Sequence, residues 1–146
     1  MLNDILYNSF SLKRYFIHVC DLMPNKEKKK LSITIIDEEN YRIKNLVYIF
    51  VIDGTIYKVG ETKRSIRERI NNYNSGNSKK SGSTNQEILN DFIKKNKEVN
   101  VFIYSIPENS IFGEKYYFTY SSKVVELLTI ARILNDFKKL PVGNKY

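Results

Sequence analysis

The sequence predicts an α+β fold: a small, antiparallel-type, three-stranded central sheet flanked by helices, with an N-terminal helix-and-strand extension in front. Three observations predict it. Leu46 to Ile52 is apolar at every position, as a strand covered on both faces requires. Asp53-Gly54 breaks that run and Ile56 to Gly60 resumes it, which reads as a hairpin. Beyond the hairpin the periodicity gives two helices, an alternating strand and a last, long helix.

Within the extension, Leu12, Phe16, Val19 and Met23 fall at helical spacing, so a helix is expected in Met1 to Met23, ended by Pro24. Asn25 to Lys30 reads as a basic turn, and Leu31 to Ile36 has the β-branched character of a strand. Asp37 to Asn45 is polar, a turn or short helix. After the hairpin, Ser65 is the expected N-cap of a helix through Tyr73, with Glu68 at the capping-box position. Ser75 to Thr84 (SGNSKKSGST) is small, polar and basic, which predicts a loop. No lysine follows Gly82, so it is not a phosphate-binding P-loop. Asn85 to Lys97 aligns Ile88, Leu89, Phe92 and Ile93 on one helical face. Val99 to Ile106 alternates like a half-buried strand and stops at Pro107; Ser121 to Leu140 is the longest helix, closed by Pro141.

At 146 residues and 42% hydrophobic, the chain suffices for one domain with a sizeable core. Lys and Arg number 24 against 16 Asp and Glu, and the net charge of +8 favours phosphates and hence nucleic acid. Its 11 Tyr and 8 Phe suit base stacking and a packed sheet alike. The single Cys20 excludes an intrachain disulfide framework and fits a reducing compartment. With His18 the only histidine, a zinc finger, a zinc deaminase and a histidine-and-metal nuclease are excluded for want of ligands. No apolar run is long enough to span a bilayer and the N-terminus has no signal-peptide h-region, so a soluble cytoplasmic protein is expected.

Three adjacent elements each carry a polar residue: Tyr48 on the first hairpin strand, Lys58 on the second, Arg69 on the helix. Ile66, Ile70 and Tyr73 share one helical face, and Arg69 lies on its edge, able to point at the sheet, whereas Arg67 and Glu68 point elsewhere. Taken singly, Arg69 reads as a solvated charge and Tyr48 as core. Lys58, between Tyr57 and Val59, needs a partner or open space. Glu126 continues a stripe made by Ile130, Ile133 and Phe137, where a carboxylate is costly unless a cation or hydrogen bonds compensate; a helix N-terminus is its competing explanation. Loop length decides whether Tyr48 and Lys58 cooperate. A two-residue Asp53-Gly54 turn sets Tyr48 against Val59 and turns Lys58 to the other face; a three-residue loop sets Tyr48 opposite Lys58. Cooperation is thus expected to need the odd-length loop.

In order and spacing these residues resemble the GIY-YIG nuclease superfamily. Leu46-Val47-Tyr48 stands at the first motif and keeps its tyrosine; Lys58-Val59-Gly60 stands at the second, keeping the glycine but replacing the tyrosine by lysine. Arg69 matches the helix arginine, Tyr73 stands where many members have histidine, Glu126 matches the metal-binding glutamate and Asn144 stands for a late asparagine. The likeness runs from Leu46 to Asn144, and its replacements are most similar to the small Type II restriction endonucleases of the superfamily.

The resemblance implies a catalytic domain over 46–146 behind an extension, 1–45, suited to DNA contact or dimer support. It implies a site-specific deoxyribonuclease with one divalent cation per site, magnesium by preference, held by Glu126. Tyr48 would activate or orient the attacking water, Arg69 would stabilise the phosphoryl oxygens, and Lys58 and Tyr73 would assist. Expected partners are double-stranded DNA, a second copy in a homodimer, and a cognate DNA methyltransferase in the same system. Lys63, Arg64, Arg67, Lys79, Lys80, Ser83 and Asn144 are the expected DNA contacts. Three alternatives stand beside this: a non-catalytic DNA-binding module on the same scaffold, a repair or homing nuclease, and a PD-(D/E)xK nuclease using Asp53 with Glu61-Thr62-Lys63.

Overall fold

The computed structural model describes residues 6–7, 10–12, 16–75, 84–106, 129 and 143. Its strands are β1 (Leu6–Tyr7), β2 (Phe10–Ser11), β3 (Ile17–Asn25), β4 (Lys30–Ile35), β5 (Lys44–Ile52), β6 (Thr55–Ser65) and β7 (Val99–Ser105). The helices are α1 (Glu38–Tyr41), α2 (Ile66–Ser75) and α3 (Thr84–Lys95). β1 and β2 pair with each other, and the remaining strands form one antiparallel sheet in the order β4-β3-β7-β5-β6.

The sheet therefore has five strands, not the three expected, because the extension belongs to it. β3 is a strand where a helix was expected. One helix-type bond survives, Phe16 N–H to Leu12 C=O at 2.8 Å, but from Cys20 the burial alternates: Cys20, Leu22 and Pro24 point in, Asp21, Met23 and Asn25 do not. A period of two is the strand's signature and overrides the coincidental helical spacing. Pro24 is tolerated because β7 ends its pairing at Leu22↔Val99, so no ladder partner there requires its missing N–H. β7 is central, paired on both sides, and Val99 to Ile103 is buried throughout rather than half-buried.

The hairpin settles the register in a third way. Asp53 (φ 51) and Gly54 (φ 70) both take left-handed conformations in a two-residue turn, and Ile52 pairs with Thr55. A β-bulge then inserts Tyr57: Val51 pairs with Ile56, but Phe50 pairs with Lys58 and Tyr48 with Gly60. Tyr48 faces neither Val59 nor Lys58. The bulge nevertheless supplies the odd residue, so Tyr48, Phe50, Lys58 and Gly60 share one face without a three-residue loop.

Ser65 caps α2 as expected: Glu68 N–H donates to its Oγ at 3.2 Å, and that hydroxyl lies 3.4 Å from the Glu68 carboxylate. Capping fixes where the helix starts, so Ile66, Ile70 and Tyr73 all fall inward. They join Tyr48, Phe50 and Tyr57 from the sheet, and Ile88, Leu89 and Phe92 from α3, in one core. Val47, Ile49, Val51, Ile56, Val59 and Phe102 form a second core on the opposite face, with Leu12 and Phe16. Of the predicted long helix only Thr129 is described, helical and buried. Among the described residues no helix is long and apolar enough to cross a membrane.

Candidate active site

β5 and α2 bring three polar side chains to one point on the helix-covered face. Arg69 Nε–H donates to the Tyr48 hydroxyl at 3.1 Å, and the Tyr48 and Tyr73 hydroxyls lie 3.3 Å apart. The Arg69 guanidinium also sits over the Tyr73 ring, 4.7 Å from its centroid, where a cation meets the electron-rich face. α3 supplies a fourth member: Arg69 Nη2–H donates to Asn85 Oδ1 at 3.0 Å.

Burial differs across the group and assigns its electrostatics. Tyr48 and Tyr73 are each 1% exposed, whereas Arg69 is half-buried and forms the accessible rim. Burial, then the neighbouring Tyr48, pushes the Tyr73 phenol well above its usual pKa, outweighing Arg69; Tyr73 is a neutral hydrogen-bonding group. Burial opposes the Arg69 charge, but the two phenolic oxygens favour it more, and its pKa moves up. Arg69 stays a cation, in contact with a tyrosine pair and a carboxamide. Among the described residues no carboxylate pairs with it. Two other reactive-looking groups are silenced. Burial, then the adjacent Asp21, pushes the Cys20 thiol up to about 12. Burial, then a 2.5 Å hydrogen bond to Asp91, keeps Tyr57 protonated.

Gly60 explains itself in this geometry. Tyr48 lies across it, and a Cβ there would meet the phenol at 2.2 Å from Cζ and 2.3 Å from the oxygen. The ring cannot retreat, because Phe50 packs 5.0 Å away and Arg69 and Tyr73 hold its hydroxyl. Gly60→Ala is therefore expected to cost about 1–3 kcal/mol of stability and to displace the phenol. A thermal melt reads the first, and the near-ultraviolet tyrosine signal reads the second. An alanine variant with wild-type values for both would refute the close approach.

The expected site residues divide. Tyr48, Arg69 and Tyr73 converge. Lys58 shares their face two ladder pairs further along, half-buried, with its ammonium 3.4 Å from the Gly143 carbonyl. Gly143 in turn donates its N–H to the Tyr57 carbonyl at 2.6 Å, tying this part of the chain to the bulge. Lys63, Arg64 and Arg67 are exposed at the β6–α2 junction and do not enter the cluster. Glu126, Lys79, Lys80, Ser83 and Asn144 lie outside the described residues. Asp53 and Glu61 do not converge. Asp53 is at the hairpin tip, paired with Lys97, while Glu61 pairs with Val47 eight residues along β6, about 25 Å away at roughly 3.3 Å per residue. The PD-(D/E)xK alternative is thereby withdrawn. Among the described residues no three His, Cys, Asp or Glu side chains form a metal-sized group.

Asn85 escaped the sequence reading. It was legible only as a polar residue opening a helix, because nothing local reveals that its carboxamide meets an arginine sixteen positions away.

No protein-family model matches the sequence, and no curated protein matches it. Solved structures do. The chain is similar to restriction endonuclease HPY188I, solved in complex with product DNA, at 33% identity over 92% of this chain and 82% of that one, with a TM-score of 0.60. It also shares the fold of bacteriophage T4 EndoII, at 17% identity over 80% and 90% of the two chains, with a TM-score of 0.55.

Proposed function

Because the chain belongs to the restriction endonuclease family that includes HPY188I, we propose that it is a metal-dependent Type II site-specific deoxyribonuclease of the GIY-YIG kind, cutting double-stranded DNA. One observation carries this reading: Arg69 is held as a cation in contact with a tyrosine pair, and among the described residues no carboxylate pairs with it. Guanidinium charge that no described carboxylate cancels, on a net-basic chain, is complementary to a phosphodiester.

Arg69 commits N–H donors to Tyr48 and Asn85, and its remaining donors can meet the phosphoryl oxygens on which charge grows. Tyr48, fixed by Arg69 and by Gly60 beneath it, takes the proton of the attacking water or orients it. Tyr73 keeps its proton and steadies the Tyr48 oxygen. Lys58, on the same face, adds positive charge beside the reacting group.

The described part of the site offers phenols and cations but no carboxylate, so the metal would rest on Glu126. Magnesium suits such a site, since it keeps several waters and takes one or two carboxylates together with substrate phosphate. When bound, it neutralises charge on the scissile phosphate and the leaving oxygen. A homodimer matches a two-fold symmetric recognition site, and a methyltransferase protects the host's own copies of that site.

Supercoiled plasmid provides the test. Discrete fragments with magnesium, and none with chelator, are expected. Binding without cleavage under both conditions would leave a non-catalytic DNA-binding module, and cleavage that survives the chelator would remove the metal.

A further inference from the structure

The turn between β3 and β4 carries Lys26, Lys28, Lys29 and Lys30 against the single acid Glu27, a net +3 of the chain's +8. All five residues are exposed, and among the described residues none of the four lysines has a carboxylate in ion-pair range. Like charges this crowded repel one another, yet the turn is built to one shape. Asn25 Oδ1 accepts the Lys28 N–H at 3.0 Å, Lys29 takes the left-handed φ of 52, and Asn25 pairs with Lys30 to close the hairpin.

The turn is also tied to the candidate site. The residue after Lys30 is Leu31, on the outer edge of β4. The Asn74 carboxamide accepts the Leu31 N–H at 2.8 Å and donates to its carbonyl at 3.0 Å, as a neighbouring strand would. Asn74 directly follows Tyr73, whose hydroxyl meets that of Tyr48. One helix thus delivers Arg69 and Tyr73 to the site and holds the base of the lysine turn. Keeping charge in solvent requires no such register; gripping a rigid polyanion does.

We infer that the Lys26–Lys30 turn is a second clamp on the backbone of duplex DNA, holding phosphates away from the scissile one. This rests on the nuclease reading above. Three strand spacings of about 4.8 Å across the sheet and seven residues of about 3.3 Å along it place the base of the turn roughly 27 Å from Tyr48. That is about eight base pairs of axial rise at ~3.4 Å each. Lysines on a turn are point charges for phosphate oxygens and carry register, not sequence, so the clamp adds affinity without choosing bases.

Fluorescence anisotropy with a mixed-sequence duplex, in chelator so that nothing is cut, tests this between about 50 and 200 mM salt. Lys26→Gln, Lys28→Gln and Lys30→Gln together should weaken low-salt binding on the order of 10- to 100-fold and shallow the slope of log K against log salt by about 2 to 3. The same three positions changed to arginine should restore both. If the glutamine variant keeps wild-type affinity and slope while the wild type still cuts plasmid with magnesium, the clamp is wrong and the nuclease reading stands. A wild type that neither binds duplex nor cuts plasmid overturns both.

Discussion

Tyr48→Phe should fold and should cut DNA about 10²–10⁴ times more slowly, the range expected when a positioned proton acceptor is removed. The ring is kept, so its packing on Phe50 and over Gly60 is kept. Only the hydroxyl at the centre of the cluster is lost, which leaves the Arg69 Nε–H and the Tyr73 hydroxyl each short of a partner. That should lower stability by about 1–3 kcal/mol. Tyr57→Phe is the matched control: it too is a buried tyrosine of the same core, and it loses a hydrogen bond to Asp91 instead. It should melt earlier by a similar margin yet cut within a few-fold of wild type. Single-turnover cleavage beside thermal melts separates the two effects. Equal losses of activity at Tyr48 and Tyr57 would show that Tyr48 matters only as core.

Much of this geometry was legible because it depends on local period and local chemistry. The all-apolar run at Leu46–Ile52, the Ser65 cap with Glu68, and the inward face of Ile66, Ile70 and Tyr73 each need only nearby residues, and each stands in the structure. What stayed hidden depends on distant partners. β3 could be read as helix because Leu12, Phe16, Val19 and Met23 mimic a helical face; only pairing with β4 and β7 selects the strand. The bulge at Tyr57 was equally invisible. Two registers follow from loop length alone, and the third becomes favourable when an extra residue lets the Tyr57 ring pack tilted against Phe92, centroids 5.1 Å apart, and reach Asp91 on α3. In the sequence Gly60 is only a motif glycine; its reason lies in Tyr48, which sits opposite it. Asn74 and Asn85 are the clearest case: carboxamides whose partners are forty-three and sixteen residues away leave no pattern in a sequence.

Asn85 also separates orientation from charge at Arg69. Its side-chain oxygen aims the guanidinium without cancelling it, since an amide is neutral. Asn85→Asp keeps the shape and the acceptor but places a carboxylate in contact with Arg69, forming a charge-assisted pair. If uncancelled charge is what stabilises the phosphoryl oxygens, this near-isosteric change should slow cleavage about 10²–10³-fold, comparable with loss of a transition-state hydrogen-bond donor. Asn85→Ala removes the aim and spares the charge, so it should slow cleavage less, by roughly 10-fold, because the bond to Tyr48 still restrains the arginine. Stability should run the other way, with the aspartate variant melting above the alanine one, since a buried partner for a cation is retained. Activity and stability therefore rank the two variants oppositely. Were Asn85 merely a packing residue, both measures would favour aspartate, and the claim that the charge of this arginine serves a phosphate would fall.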